Sequence, residues 1–461
     1  MVVEVLGLVG NPVRLFGLIV ACVLVVTGPF ASNAAAVQLS GPLVIVTSFP
    51  APLFTRFRQE FEALHPKVKI FIRSKKTSAA IAFIAERPSE AADLFWASAP
   101  DAFEVLKQSG SLLPAFRSSS EGSSIGGYPL NDPDGYYKGF AISGYGLMWN
   151  RPYLIRRGLP EPTGWSDLMD PRYAGHIGIT APSRSGTTHL IVETILQTSG
   201  WERGWAALSE IGGNLATITA RSFGVMDGVR AGRFGIGPVV DFFALSARAL
   251  GAPVDFVYPQ GTSFLPANIA IVTRAANLDA ARGFVEFLLS EAGQRLLLEP
   301  EISRLPVRPS IYADAPAGYP NPFDKTLVEK GIRFDSQLSR RRYHLVNALF
   351  DALVTYRIQG LRRTWAAIHR AEAALKEADN PELQAVAVRA RRLASQVPVT
   401  GLLAADGAFT SVFTRRSPGL GVSARQLELQ AEWRRFFAQS QGEALALATD
   451  ISDRLAAGPG R

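Results

Sequence analysis

Cysteine is nearly absent. The 461 residues hold one, Cys22, inside an apolar stretch near the N-terminus. If that stretch is removed, the remaining chain has no thiol, which excludes disulfides, thiolate metal sites and cysteine nucleophiles. Histidine is scarce as well: His65, His176, His189, His344 and His369 include no pair at ligand spacing on one helix. Serines abound, yet no Gly-x-Ser-x-Gly elbow frames one as a nucleophile. No zinc spacing, homeodomain-like pattern or RNP motif occurs. The reading is therefore of no enzyme, no metal, no cofactor and no nucleic-acid partner. Negative charge is also in short supply. Lys and Arg number 48 against 40 Asp and Glu, a net charge of +8, with much of the arginine on helical patterns after Arg333. A basic exterior with a preference for acidic ligands is the milder inference.

Length and a hydrophobic share of 47% suffice for two to three domains with real cores. Residues 1–36 read as a cleaved export signal: Arg14, the apolar run Leu15 to Val26, then the small residues Ala34-Ala35-Ala36. The alternatives are a plain membrane anchor, for which the run is short, and a lipoprotein box at Ile19-Val20-Ala21-Cys22. Export predicts a periplasmic location.

Strand and helix patterns then alternate. Leu43–Thr47, Val68–Ile72 and Asp93–Trp96 read as strands, with helices from Pro52 to Leu64, Ala79 to Ala85 and Ala102 to Gln108 between and after them. Such alternation predicts an α/β fold with a largely parallel sheet, whose ligands sit beyond the carboxyl ends of the strands. Ser48, Thr77, Ser78 and Ser98 fall on that edge. Residues 117–135 read as a long surface loop. Two extended apolar segments, near 140–149 and 264–272, look like crossings between lobes. They divide the chain into a discontinuous first lobe (37–143 plus 268–322) and an inserted second lobe (144–267), with a cleft and hinge between them. From 323 to 461 the composition turns Ala-, Arg- and Leu-rich, with helices expected at Val346–Gln359, Leu361–Ala378, Pro381–Gln396 and Ser423–Ala438. Their apolar stripes imply packing on each other or on the first lobe.

The most informative stretch runs from Gly164 to Thr188. A short strand, Ile177 to Thr180, feeds the hydroxyl-rich turn Ser183-Arg184-Ser185-Gly186-Thr187-Thr188, from which an apolar helix departs. Free backbone N–H groups and the helix dipole make such a turn an anion site. Arg184, Ser185, Gly186, Thr187 and Thr188 are its candidate donors, with Thr77 and Ser78 facing them from the other lobe. Lys75 and Lys76 could add charge, but only one of two adjacent extended residues points inward. Ser48 and Ser98 read equally as helix caps and as cleft donors. Asp241, at a strand end, reads either as an acceptor for a ligand ammonium or hydroxyl, or as a cap on the helix beginning at Phe242.

From about Leu43 to Pro309 the chain resembles the periplasmic solute-binding proteins of ABC importers, in the group that serves iron(III), phosphonates and phosphoglycerate. The residues that carry the resemblance are Trp165-Ser166-Asp167-Leu168 with Asp170-Pro171-Arg172-Tyr173-Ala174-Gly175, Pro182 to Thr188, Val225-Met226-Asp227-Gly228-Val229-Arg230-Ala231-Gly232, and Phe287-Leu288-Leu289-Ser290-Glu291-Ala292-Gly293-Gln294. Lys75-Lys76-Thr77-Ser78-Ala79 with Phe95-Trp96-Ala97-Ser98 looks most like the phosphoglycerate-transport regulatory members. The resemblance implies a two-lobed periplasmic binding-protein fold of type II, here with a helical C-terminal extension. It also implies a monomer that hands a small anionic solute to ABC permease subunits, or reports it to the periplasmic domain of a sensor kinase. Iron-binding members carry adjacent tyrosines where this sequence has Phe242-Phe243, and phenylalanine cannot ligate Fe(III). The expected solute is thus a small organic anion, phosphoglycerate-like or phosphonate-like.

Overall fold

The computed structural model describes residues 38–86, 92–116, 124–378, 380–414 and 421–457. The expected export signal lies outside them. Among the described residues no helix is long and apolar enough to cross a membrane. The elements below all belong to one compact unit, Leu39–Arg461.

The chain opens as read: β1 (Gly41–Thr47), α1 (Ala51–Leu64), β2 (Val68–Ser74), α2 (Thr77–Glu86), β3 (Leu94–Ala97) and α3 (Pro100–Gln108). β1 lies between β2 and β3 and is parallel to both. Leu43 and Ile45 enter one core and Val46 the other, so both faces are covered, which is why the strand reads as a continuous apolar run. The first core is rich in rings. Trp96 stands edge-on to Phe49, Phe57, Phe140 and Phe284 at 5.3–5.6 Å, and burying each such side chain stabilises by roughly 1.5–3 kcal/mol.

The expected loop at 117–135 contains a short hairpin, β4 (Ser124–Ile125) with β5 (Tyr128–Pro129), turned by Gly126 and Gly127 at positive φ; residues 117–123 lie outside the description. β6 (Tyr137–Asn150) is the long strand that joins the two halves of the molecule. Its Tyr137–Gly144 stretch pairs with β11, and its Tyr145–Trp149 stretch with β9. The crossing needs glycine: a Cβ on Gly144 would lie 2.5 Å from the Tyr258 ring, and one on Gly146 2.1 Å from the Val257 carbonyl oxygen.

The second half follows with α4 (Arg151–Arg157), β7 (Ile177–Thr180), α5 (Gly186–Ser199), α6 (Trp201–Asn214), β8 (Leu215–Thr219), α7 (Phe223–Arg230), β9 (Ile236–Val240), α8 (Asp241–Ala249) and β10 (Val254–Val257). β7 is parallel to β8 and β9, and β10 runs antiparallel to β6. β11 (Phe264–Ile271) returns to the first half, antiparallel to β3 and β6. The sheet is therefore mixed rather than largely parallel, in the order β2-β1-β3-β11-β6-β9-β7-β8. Phe264–Ala267, expected in the inserted lobe, pair with the first-half stretch of β6.

α9 (Leu278–Leu289), capped by Asn277, and α10 (Glu291–Leu296), capped by Ser290, close the first half. β12 (Leu305–Pro306) adds a short edge to β6. The C-terminal third is helical: α11 (Lys325–Val328), α12 (Ser336–Phe350), α13 (Ile358–Leu375), α14 (Pro381–Ser395), α15 (Gly401–Ala405), α16 (Gly407–Thr414) and α17 (Ala424–Ala457). One boundary changes here. α12 begins at an Asp335 cap, ten residues before the expected start, so Arg340-Arg341-Arg342 are helical. The extension packs on itself, as expected, and through α13 and α14 also on α6 of the second half; it meets the first half through α12 on α3 and through Leu327, Val328 and Phe334 beside Ile125 and Tyr128. Trp365 and Leu361 press on Gly213 and Gly212, where any Cβ would come within 2.7 Å of them.

Candidate ligand cleft

α5 starts as its local sequence demands. Ser185 is extended (φ −150°, ψ 118°), and its hydroxyl accepts from the Thr188 N–H at 3.2 Å, the N-cap geometry. The Gly186 N–H donates to Thr77 Oγ1 at 3.3 Å, across from the first half. Thr187's amide has no partner among the described residues. This helix end closes one side of a small cavity between the two halves. Ser48, Phe49, Pro50, Lys76, Thr77 and Ser98 line it from the first half. Arg184, Ser185, Gly186, Thr187, Arg221, Ser222, Phe223, Phe242 and Phe243 line it from the second.

Seven of the ten residues singled out from the sequence meet there: Ser48, Thr77, Ser98, Arg184, Ser185, Gly186 and Thr187. Ser48 and Ser98 are not helix caps, because Pro50 and Ala99 occupy those positions and no side chain caps either helix. Thr188 is buried in the first turn of α5, behind the lining. Ser78 is a lobe-to-lobe contact, its hydroxyl donating to the Ser183 carbonyl at 3.0 Å. Asp241 lies outside the cavity wall and is fully buried. Its carboxylate accepts from the Gly144 and Phe242 amides, both at 2.7 Å, and from the Tyr258 hydroxyl at 3.0 Å. Burial drives its pKa up to about 7, against the pull of those three donors and of the Arg304 charge. Of the lysine pair, Lys76 lines the cavity, while Lys75 sits over the Phe83 ring at 4.3 Å.

Sequence reasoning did not find Arg221. Its guanidinium donates to the Ser48 carbonyl at 3.3 Å and lies over Phe223, and burial lowers its pKa. Nothing local flags it, since it follows β8 and meets Ser48 only through the fold. The charge balance is one-sided: Lys76, Arg184 and Arg221 line the cavity and no carboxylate does. None of the three cations has a carboxylate partner among the described residues. Phe242 and Phe243 present hydrocarbon where a metal site would need oxygen or nitrogen donors.

His189, which follows the turn, faces away from the cavity. It is wholly buried, bonded through Nδ1 to Asn347 at 2.9 Å and through Nε2 to Ser339 at 3.3 Å, while Ser339 donates to Asp101. Serine, histidine and aspartate thus meet, but at 0% exposure and with the serine hydroxyl donating its hydrogen bond to the aspartate rather than to the histidine. This is a structural tie among α3, α5 and α12. The cavity itself is tight, about 20 Å³, space for about one water, so the two halves are drawn together.

Two α/β halves joined through one shared strand, with the helix-start turn Ser183–Thr188 closing on the opposite half, are the architecture of a two-lobed binding protein. The chain belongs to the bacterial extracellular solute-binding protein family, whose sequence model matches residues 90–323; that family and fold are of binding proteins, not enzymes. The chain is 36% identical over 278 residues to the phosphoglycerate transport regulatory protein PgtC of Salmonella typhimurium, covering 60% of this chain and 66% of the relative, just short of two thirds of its length. Among solved structures, the periplasmic binding protein AfuA of Actinobacillus pleuropneumoniae, with fructose 6-phosphate bound, superposes with a TM-score of 0.60 at 21% identity, over 68% of this chain and 99% of that one. The ferric binding protein of Campylobacter jejuni gives 0.53 at 16%, over 68% and 99%. The neighbours share the fold, and the C-terminal helices are additional to it.

Proposed function

We propose that this protein captures a small organic anion in the cleft between its lobes and delivers it to the transmembrane subunits of an ABC importer. The observation that carries the reading is the lining itself. A helix N-terminus with an unpartnered amide, six hydroxyls and three cations meet with no carboxylate among them. A phosphoryl or phosphonate group of a phosphoglycerate-like or phosphonate-like solute suits those donors, and the relative at 36% identity is named for phosphoglycerate transport. Iron is the poorer ligand, because Phe242 and Phe243 offer it nothing. The protein works in the periplasm as a monomer after its leader, residues 1–36, is removed. Mass spectrometry of the exported chain would locate the cut.

A second reading has its own support. The helices from Ser336 to Ala457 lie outside the shared fold, and the relative is named as a regulator. In that reading the same solute is reported to a membrane sensor kinase rather than handed on.

Calorimetric titration with 3-phosphoglycerate, phosphoenolpyruvate, aminoethylphosphonate, inorganic phosphate and Fe(III) tests the ligand class. Binding of one or more organic anions is expected, with stabilisation growing as the logarithm of concentration. Binding of Fe(III) alone would overturn it.

A further inference from the structure

Arg304 is absent from the lining of the small cavity, yet it stands out among the cations of the described residues. It is 1% exposed, and neither Nη1 nor Nη2 has a hydrogen-bond partner. Burying a charge this way is costly unless something pairs with it. Asp241, the carboxylate whose charge acts on it, spends its oxygens on Gly144, Phe242 and Tyr258 and forms no ion pair with it. Burial pushes the guanidinium down to about 9, even with Asp241 opposing that shift.

What Arg304 does touch is the wall of the cleft. Its guanidinium lies 3.5 Å from the ring centre of Phe242, on the second lobe, and 4.4 Å from that of Phe49, on the first. Both rings line the anion cavity. On its other side Arg304 lines a chamber of about 450 Å³, which shares Pro50, Phe223, Phe242 and Phe243 with that cavity. Of this chamber's carboxylates, Asp227 faces Arg230 at 3.7 Å and Glu301 is exposed. The chain bends sharply to place the arginine. Ser303, just before it, has φ 47° and is the one non-glycine residue with positive φ among those described. Such strain collects where function positions a side chain. Because Arg304 is clamped between a ring of each lobe, parting the lobes uncovers it.

We propose that Arg304 contacts the solute directly, and that it makes the cleft select small molecules with two anionic groups: one on the α5 turn, the other on this guanidinium. The inference rests on the anion-binding function proposed above. The two stations flank the Ser48–Phe49 pair, with Arg221 on the Ser48 carbonyl and Arg304 on the Phe49 ring. A solute bearing a phosphoryl group and a carboxylate supplies the hydrogen-bond acceptor that the buried fork lacks.

The test compares two probes that differ by one carboxylate, 3-phosphoglycerate and glycerol 3-phosphate, titrated into the full exported chain. The wild type is expected to favour 3-phosphoglycerate by about tenfold to a hundredfold, the range of a hydrogen bond to a charged group. Arg304→Met should abolish that preference by weakening 3-phosphoglycerate far more than glycerol 3-phosphate, while Arg304→Lys should retain part of it. If the methionine variant does not fold, a reduced preference in the lysine variant carries the same support. Equal weakening of both probes would make Arg304 only a latch between the lobes and overturn the inference, as would an unchanged preference. A wild type that binds neither probe overturns the anion-site reading itself, and this inference with it.

Discussion

The buried pair Arg342–Glu193 ties the helical extension to the second lobe, and its removal should be costly in a characteristic way. Glu193, on α5, is 0% exposed, and the Arg342 side chain 7%. The contact is bidentate, Nε to Oε1 at 2.9 Å and Nη2 to Oε2 at 2.7 Å, with the guanidinium 4.9 Å from the Trp201 ring centre. In Arg342→Met the carboxylate keeps only Gln197, at 3.3 Å. An uncompensated buried charge costs about 3–5 kcal/mol. Unfolding entropy of ~2.1 cal/mol/K per residue makes that a fall in Tm of about 3–6 °C for a unit the size of Leu39–Arg461. One further signature follows. Glu193→Met combined with Arg342→Met should recover much of the loss, because a well-packed apolar pair replaces an ion pair at little cost. Urea and thermal unfolding of the wild type and the two variants measure both effects. A loss below about 1 kcal/mol, typical of a solvated surface pair, or a double variant no better than the single, would refute the reasoning.

Other predictions concern the cleft. Gly186→Ala should weaken solute binding by an order of magnitude or more without lowering Tm, because alanine suits the helix start while its Cβ would sit 2.5 Å from Ala99 Cβ on the opposite lobe; a larger radius of gyration in scattering should accompany the loss. Thr187→Val, which removes one lining hydroxyl, should abolish or sharply reduce anion binding with the fold intact, read by titration beside circular dichroism. Ser185→Ala should cost about 1 kcal/mol through the lost cap, visible in urea unfolding even without solute. Asp241→Asn should flatten the pH dependence of stability. With a folded pKa of about 7 against an ordinary value of 3.8, the wild-type aspartate's contribution is complete below about pH 4 and is lost as pH rises through 7; a wild type whose stability does not fall across that window contradicts the assignment.

Much of the site was legible because its signals are local. The serine cap and glycine at Ser185-Gly186 follow from backbone chemistry that neighbouring residues decide, and the structure builds α5 there. The crossings at β6 and β11 were legible from uninterrupted apolar runs. Other features were not. Arg221 and Arg304 are ordinary arginines in sequence, 83 positions apart, and only the packing of Ser48 and Phe49 between them brings both to one cleft. Asp241 reads as a strand-end carboxylate; its three donors come from Gly144, Phe242 and Tyr258, two of them distant in the chain, and turn it into an interior group.

The sequence by itself determined the alternation of strands and helices, the serine-capped turn that starts α5, the lack of metal-ligand spacing and the helical nature of the last third, because each depends on periodicity or on residues a few places apart. Tertiary structure alone decided how the pieces meet. An amphipathic stripe states that a helix face is buried, not against what; the glycine pair Gly212-Gly213 on α6 admits Leu361 and Trp365 and so sets where the extension docks. Likewise the strand patterns did not reveal that β11 returns antiparallel, or that an arginine following a strained serine ends up between a ring of each lobe. Those outcomes depend on long-range packing, where shape and charge from distant segments must fit together.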